Sequence, residues 1–250
     1  MTTALDRPTT TPAKAARVIA TQSVLMLNAG HALASRAILD PQIMHRIVMS
    51  GHYGWVEPGE ADPRAKMGIL STWQLDLTAN RLIIIVQSRV QPDWSALPST
   101  ALADSVVTIP IDLTIRTGDQ YTFRTTINPV RNRVNPTDGQ QIIKRRADTT
   151  PAHARDWFAH HLQPAGQPCE GPDRVPRIGA TGDPSTMNVR ILPRLRFNDR
   201  HKGKHLGRAE ITGSLTVTEP TTFARTLSTG LGRARAYSCG LLLIRPVATE

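Results

Sequence analysis

The sequence is poor in aromatic residues, cysteine and long apolar runs, and each shortage excludes a class of protein. Aromatic residues make up 4% of the 250 residues, too few for a platform that stacks many nucleic-acid bases. Cys169 and Cys239 give neither a disulfide framework nor the spacing of a metal site. No apolar run approaches the roughly 18 residues of a membrane span, and no signal peptide is recognisable. We therefore expect a cytoplasmic, reduced protein that does not bind a membrane.

Acidic residues are also few. The chain has 20 Asp and Glu against 30 Lys and Arg, which gives a formal net charge of +10 and an isoelectric point near 10.5. Such an excess favours a polyanionic partner, and dense clusters of cations are typical of a nucleic-acid groove. The alternative is a solvated charged surface. The predicted RNA-binding clusters are Arg194, Arg196, Arg200, Lys202 and Lys204, where Asp199 is the opposing acid; Lys144 and Arg145 with Arg146; and Arg131 with Arg133.

A glycine-rich basic segment near the C-terminus ends in a short apolar run, which predicts a buried strand. Backbone at glycine can approach a phosphate closely, and arginine binds phosphate through its guanidinium group. Gly230, Gly232, Arg233 and Arg235 are therefore candidate phosphate contacts. A dinucleotide loop would need a third glycine at Arg235 and a following βαβ unit, and no Gly-Lys-Ser/Thr motif occurs. We expect no nucleotide cofactor; a tight turn with two solvated arginines stays the alternative.

The order of predicted elements indicates an α+β fold of two tandem ferredoxin-like (βαββαβ) domains. The first is predicted to contain a strand over 18–27, a helix from Pro41, a hairpin over 69–77 and 81–88, a short turn at 91–97 and a strand over 120–129. The second is predicted to contain a strand over 140–145, a helix from Pro151, a hairpin over 188–197 and 206–218, a helix over 220–228 and a strand over 237–245. The predicted divisions are a disordered leader over 1–17, a first domain over 18–135 and a second domain over 136–250.

A histidine lies on the first predicted helix. Asp40 can cap this helix and Pro41 suits its first position. His45 falls beside the apolar stripe formed by residues such as Ile43 and Ile47, where it can reach a cleft. By itself this pattern fits a structural histidine better than a catalytic one.

Four stretches give a more specific indication. They are DPQIMHR at 40–46, VQSRVQPDWS at 86–95, FRTTINP at 123–129 and TGLGRARAYSCGLL at 229–242. In this order the chain resembles the CasE family, the CRISPR repeat-RNA endonuclease of the type I-E Cascade complex, and 150–157 resembles the family's second-domain helix. The resemblance implies two ferredoxin-like domains that grip a repeat hairpin and cut once at its 3′ base, with no metal or other cofactor. It also implies that the product is kept and that other Cascade subunits are partners.

His45 matches the family's catalytic histidine. The sequence departs from the family at Gln42, where a tyrosine often assists the chemistry, and at Ser238, where glycine is usual. Cleavage without metal uses the 2′-OH as nucleophile and leaves a 2′,3′-cyclic phosphate and a 5′-OH. His45 could act as acid or base, and Arg46 or a basic residue of the second domain could stabilise charge. A non-cleaving RNA-binding module of the same fold and a structural ribonucleoprotein subunit stay open as alternatives.

Overall fold

A computed structural model describes residues 14–137, 140–147, 149–171, 174–197 and 205–247, with the backbone alone for those between 131 and 147. Its strands are β1 (Ala15–Asn28), β2 (Leu70–Asp76), β3 (Arg81–Ser88), β4 (Val107–Arg116), β5 (Gln120–Ile127), β6 (Val130–Thr137), β7 (Gln140–Ala147), β8 (Ala180–Thr181), β9 (Asn188–Arg196), β10 (His205–Val217) and β11 (Leu242–Pro246). Its helices are α1 (Ala32–Leu39), α2 (Pro41–Ser50), α3 (Pro63–Lys66), α4 (Pro151–Ala159) and α5 (Pro220–Thr229). None of the helices within these ranges has the length and apolar character needed to cross a bilayer.

The first sheet is antiparallel and has the strand order β2-β3-β1-β4. Its β3 strand is rich in Ile and Val, which suit a pleated buried surface. Leu82 and Ile84 of β3 are fully buried, and they belong to one core with Leu25 of β1 and Met44 and Ile47 of α2. Burial of this apolar stripe holds α2 against the sheet, so the polar side of α2 is free to form a site.

The second sheet has the order β11-β5-β10-β8, and β9 also pairs with β10. Helices α4 and α5 cover it, and their fully buried Phe158 and Phe223 pack on Phe123 and Tyr121 of β5 respectively. The C-terminal half follows the βαββαβ order of a ferredoxin-like domain through β5, α4, β9, β10, α5 and β11, with the β6–β7 hairpin inserted after β5. In the N-terminal half, a 3₁₀ turn at Ser99–Ala101 stands between β3 and β4 where such a domain has its second helix. The predicted α+β fold with two such domains is confirmed.

One predicted strand belongs to the other sheet. The segment 120–129 is predicted to close the first sheet, but β5 pairs with β10 and β11 in the second. The first sheet is closed by β4, which carries Pro110 and is mostly exposed, as an edge strand permits. The change of sheet falls between Arg116 and Gln120, not near residue 135. This strand was not among the predicted elements, although its apolar residues alternate from Val107 to Ile115 as in a strand.

Three further differences concern the sheet to which a strand belongs and the residues at which strands begin. The segment 140–145 does not begin the second sheet, because β7 pairs with β6 in a separate two-stranded hairpin. Residues 15–17, predicted to be part of a leader, already belong to β1, whereas 1–13 lie outside the described residues. The last strand begins at Leu242 rather than at 237, because a 3₁₀ turn occupies Arg235–Tyr237.

The two halves meet through polar contacts as well as apolar ones. Ser71 Oγ of β2 lies 3.0 Å from Ser238 Oγ, and Gln87 Nε2 of β3 donates to the carbonyl of Leu227 at 2.7 Å. The first of these buried bonds fixes the glycine-rich segment against the first sheet, and the second fixes α5, which leads into that segment. They therefore bring that segment next to α2.

Candidate active site

His45 lies in a cleft between α2, the start of α3 and the glycine-rich segment. The predicted cap is present, since the Asp40 carboxylate accepts the Gln42 backbone N–H at 2.9 Å and Pro41 opens the helix. The cleft has a volume of about 520 Å³. Its lining residues are His45 and Met49 of α2, residues 61–64, and residues 232–236. Residues far apart in the sequence thus converge on His45.

The surroundings of His45 favour its neutral form. Burial lowers the pKa of His45 from its usual value, and the positive charge of Arg64 lowers the pKa further. A backbone hydrogen bond with Ala236 and the carboxylate of Asp62 act in the opposite direction without cancelling the shift. Since an ordinary histidine titrates near pH 6.5, the imidazole is neutral at pH 7 and can accept a proton.

A tyrosine from the second half lies beside this histidine. The ring centroids of His45 and Tyr237 are 6.2 Å apart, with the planes inclined at 66°. Gln42, one turn before His45 on α2, donates from Nε2 to the Tyr237 hydroxyl at 3.1 Å. Sequence reasoning identified Gln42 as a departure from the family, but it gave no reason to connect this residue with Tyr237. The pairing depends on the fold.

Internal packing accounts for the glycines of the segment. A Cβ at Gly232 would lie 2.7 Å from the Trp157 ring, one at Gly230 would lie 2.7 Å from Leu70, and one at Gly240 would lie 2.3 Å from the Leu231 carbonyl oxygen. All three glycines have positive φ, which L-residues rarely adopt. They therefore shape the loop, while phosphate contact by Gly230 and Gly232 stays a prediction.

The two arginines of the segment differ in exposure. Arg235 is half-buried and donates to the Thr229 carbonyl at 2.8 Å, which ties the loop to the end of α5. Arg233 is exposed. The alternative of two solvated arginines therefore fits Arg233 but not Arg235.

The same segment forms one wall of a second, strongly basic pocket of about 630 Å³. Glu170 is the acidic residue of the lining, against five arginines. The arginines are Arg174, Arg177, Arg225, Arg233 and Arg235. Sequence reasoning missed the first three because they are scattered over a Pro- and Gly-rich loop and a helix, without local density.

The chain is similar to known proteins over most of its length. A protein-family model described as "CRISPR associated protein" matches residues 22–246. The chain belongs to that family. No curated protein sequence matches this CRISPR-associated chain.

Solved structures with the same fold cover almost the whole chain. A structure of CRISPR endoribonuclease Cse3 bound to 19 nt RNA shares 25% identity and a TM-score of 0.64, covering 92% of this chain and 99% of that one. Thermus thermophilus Cse3, bound to an RNA representing a pre-cleavage complex, shares 23% identity with a TM-score of 0.65 and coverage of 92% and 100%. Cas6e from Escherichia coli K-12 shares 16% identity with a TM-score of 0.63 and coverage of 91% and 100%.

In this CRISPR-associated protein, the predicted site residues Arg46, Arg194, Arg196 and Gly230, whose side chains or backbone the structure describes, are not among the residues that line the cleft. Arg46 is exposed on α2 beside His45, and Arg194 and Arg196 are exposed on β9. On the β6–β7 hairpin the backbone register places Arg131 opposite Arg146, Asn132 opposite Arg145 and Arg133 opposite Lys144. Arg200, Lys202 and Lys204 lie outside the described residues. Of the predicted set, the cleft brings together His45, Gly232, Arg233 and Arg235.

The β9–β10 region is less uniformly cationic than its sequence indicates. Arg190 forms an ion pair with Glu210 at 2.9 Å across the two strands. Arg208 is 3% exposed and stacks over the Trp73 ring at 4.6 Å. Arg194 and Arg196 remain as exposed cations of β9 that an RNA could reach.

Proposed function

We propose that the protein is a CRISPR RNA-processing endoribonuclease. It binds the repeat hairpin in precursor RNA, cuts at the 3′ base of the hairpin, keeps the product and joins a Cascade complex in the cytoplasm. The observation that carries the proposal is His45, held neutral in a cleft whose other wall is the arginine-bearing glycine loop. Membership of the CRISPR-associated family and the shared fold with RNA-bound Cse3 structures support it.

The chemistry of such a site begins with proton removal. His45 takes the proton of the ribose 2′-OH, and O2′ then attacks the adjacent phosphorus. The bond from phosphorus to O5′ breaks, leaving a 2′,3′-cyclic phosphate and, once O5′ gains a proton, a 5′-OH. The hydrogen bond with Ala236 occupies one position of the imidazole and orients the ring. A positioned acid–base group of this kind contributes roughly 10²–10⁴-fold to the rate.

Negative charge grows on the phosphoryl oxygens during attack. Arg64 and Arg235 line the cleft with His45, and each carries a fixed positive charge close to where the phosphate would lie. Guanidinium groups bind phosphate oxygens through paired N–H donors. Because these cations are already positioned by the fold, they stabilise the developing charge without reorganising.

The basic pocket supplies a path for the RNA strand beyond the cut. It shares Gly232, Arg233 and Arg235 with the His45 cleft, so the two cavities adjoin along the glycine-rich segment. A single strand leaving the cleft would pass Arg225 and Arg177, where its phosphates meet cations. The cations of β9 and of the β6–β7 hairpin are then available to the duplex of the repeat.

Direct cleavage tests this proposal. The purified protein is incubated with a 5′-labelled RNA carrying the repeat of a CRISPR array from the same genome, in EDTA. One cut at the 3′ base of the hairpin, with a 2′,3′-cyclic phosphate on the upstream product, supports it. A 3′-hydroxyl product, or a requirement for magnesium, contradicts the mechanism. Tight binding without any cut would favour the non-cleaving RNA-binding module instead.

A further inference from the structure

The hydroxyl of Tyr237 is a second polar group directed at the neighbourhood of His45. The Tyr237 ring packs edge-on against Phe197, with centroids 5.0 Å apart, in an apolar cluster that includes the buried Leu195 and Leu206. This packing fixes the ring, while its hydroxyl reaches across to Gln42 of α2. Tyr237 directly follows residues 232–236, which line the cleft, and its ring centroid lies 6.2 Å from that of His45.

The hydrogen bond with Gln42 leaves the phenolic proton available. Gln42 Nε2 donates, so the Tyr237 oxygen accepts and keeps its own O–H as a donor. Among the described residues, the bond from Gln42 is the hydrogen bond that this hydroxyl makes. Gln42 and His45 are three residues apart on α2 and share one face of the helix. The free O–H is therefore held beside the imidazole.

The backbone around Tyr237 supports a functional placement. Ala234 and Ser238, which flank its 3₁₀ turn, both adopt left-handed conformations, with φ of 58° and 60°. Left-handed conformations of residues other than glycine cost free energy and cluster at functional sites. Ser238 is held there by its buried hydrogen bond to Ser71 at 3.0 Å.

We propose that the Tyr237 hydroxyl is a catalytic hydrogen-bond donor of the His45 site, oriented by Gln42. The inference rests on the proposed function and adds a residue to it. When O2′ attacks phosphorus, the hydroxyl donates a hydrogen bond to a phosphoryl oxygen of the substrate. No proton is transferred, so Tyr237 is unchanged at the end of the step. His45 receives the proton of the 2′-OH as before.

Single-turnover cleavage of the repeat RNA by Tyr237→Phe tests the inference. The substitution removes one oxygen and keeps the ring that packs on Phe197. We expect the rate to fall roughly 10²- to 10³-fold, the usual effect of removing one donor to a developing oxyanion. RNA affinity and melting temperature should be unchanged. Tyr53→Phe is the matched control, since Tyr53 is 58% exposed on a surface turn, and it should cleave at the wild-type rate.

A double-mutant cycle with Gln42→Ala separates positioning from packing. If Gln42 acts through the phenol, Gln42→Ala slows the wild type but has no further effect on Tyr237→Phe. The acidic limb of the pH–rate profile should also keep its position in Tyr237→Phe, because Asp62, Arg64, Arg233 and Arg235, the charged residues that line the cleft with His45, are unchanged.

The outcomes distinguish the two proposals. If the wild type cleaves and Tyr237→Phe cleaves equally fast, the inference is wrong and the proposed function stands. If Tyr237→Phe loses RNA affinity by the same factor as cleavage rate, or if its melting temperature falls, Tyr237 has a structural role. If Gln42→Ala slows Tyr237→Phe by the same factor as it slows the wild type, Gln42 does not position the phenol. A wild-type protein that cuts no repeat RNA would overturn the proposed function and this inference with it.

Discussion

Gly232 lies against the indole of Trp157, so closely that a Cβ at this position would stand 2.7 Å from Cη2 of the ring. Gly232 also has a φ of 70°. The glycine therefore serves the contact between the loop and α4. Substitution at Gly232 acts on the fold before it acts on RNA.

We expect Gly232→Ala to destabilise the protein by about 1–3 kcal/mol, through backbone strain together with the clash on Trp157. Gly118→Ala is the matched control, because Gly118 has a φ of 90° and open space around it, so strain acts alone there. Urea unfolding of both variants gives the comparison. Equal decreases in the free energy of unfolding at the two positions would show that the contact with Trp157 adds no destabilisation of its own.

The basic pocket should contribute to the salt dependence of RNA binding. We expect Arg225→Ala with Arg177→Ala to reduce the slope of log affinity against log salt by roughly 0.7 for each single-strand phosphate that the variant no longer neutralises. Arg17→Ala is the control, since Arg17 is exposed and already paired with Asp112. Titrations in which the pocket variant keeps the wild-type slope would place the strand elsewhere.

The segment around Arg194 should act on the duplex of the repeat. We expect Arg200→Ala with Lys202→Ala to lower the salt slope by roughly 0.9 for each duplex phosphate left without its cation, and to leave the cleavage rate of bound RNA unchanged. Fluorescence anisotropy at several salt concentrations measures the slope. A cleavage rate that falls while the slope stays constant would contradict a role limited to binding.

Stability should fall in mild acid. Burial lowers the pKa values of His45, His52 and His161, so the unfolded chain binds more protons than the folded one just below pH 6.5. The stabilisation is fully present above about pH 6.5 and is lost as the pH falls through the folded-state values. Urea unfolding between neutral pH and mild acid should show the decrease, and His52→Gln should make it shallower. A free energy of unfolding that is constant over this window would contradict the account.

The sequence predicted the helices and hairpins whose local signals are strong. Pro41 and Pro151 at first helical positions marked α2 and α4, and the hairpins of β2–β3 and β9–β10 formed as expected. Strand β4 was absent from the predicted elements although apolar residues occupy every second position from Val107 to Ile115, with Pro110 at one of the positions between them. Without β4, the segment 120–129 was assigned to the first sheet, whereas β5 pairs with β10 and β11 in the second.

The site was predicted only in part. The position of His45 on a polar edge of α2 follows from helical periodicity, but its partners come from a loop almost two hundred residues away. The contact of Gln42 with Tyr237 and the convergence of Arg177 and Arg225 on one pocket depend on how the two sheets meet. Such long-range contacts leave no periodic trace in one sequence.

The central claim, that His45 carries out proton transfer in RNA cleavage, is tested most directly by single-turnover cleavage and RNA affinity of His45→Ala measured on the same repeat hairpin. His160→Ala is the control, because His160 is exposed at the end of α4. The account predicts a rate lowered roughly 10²–10⁴-fold with affinity retained. Cleavage at the wild-type rate, or a decrease in affinity equal to the decrease in rate, would contradict it.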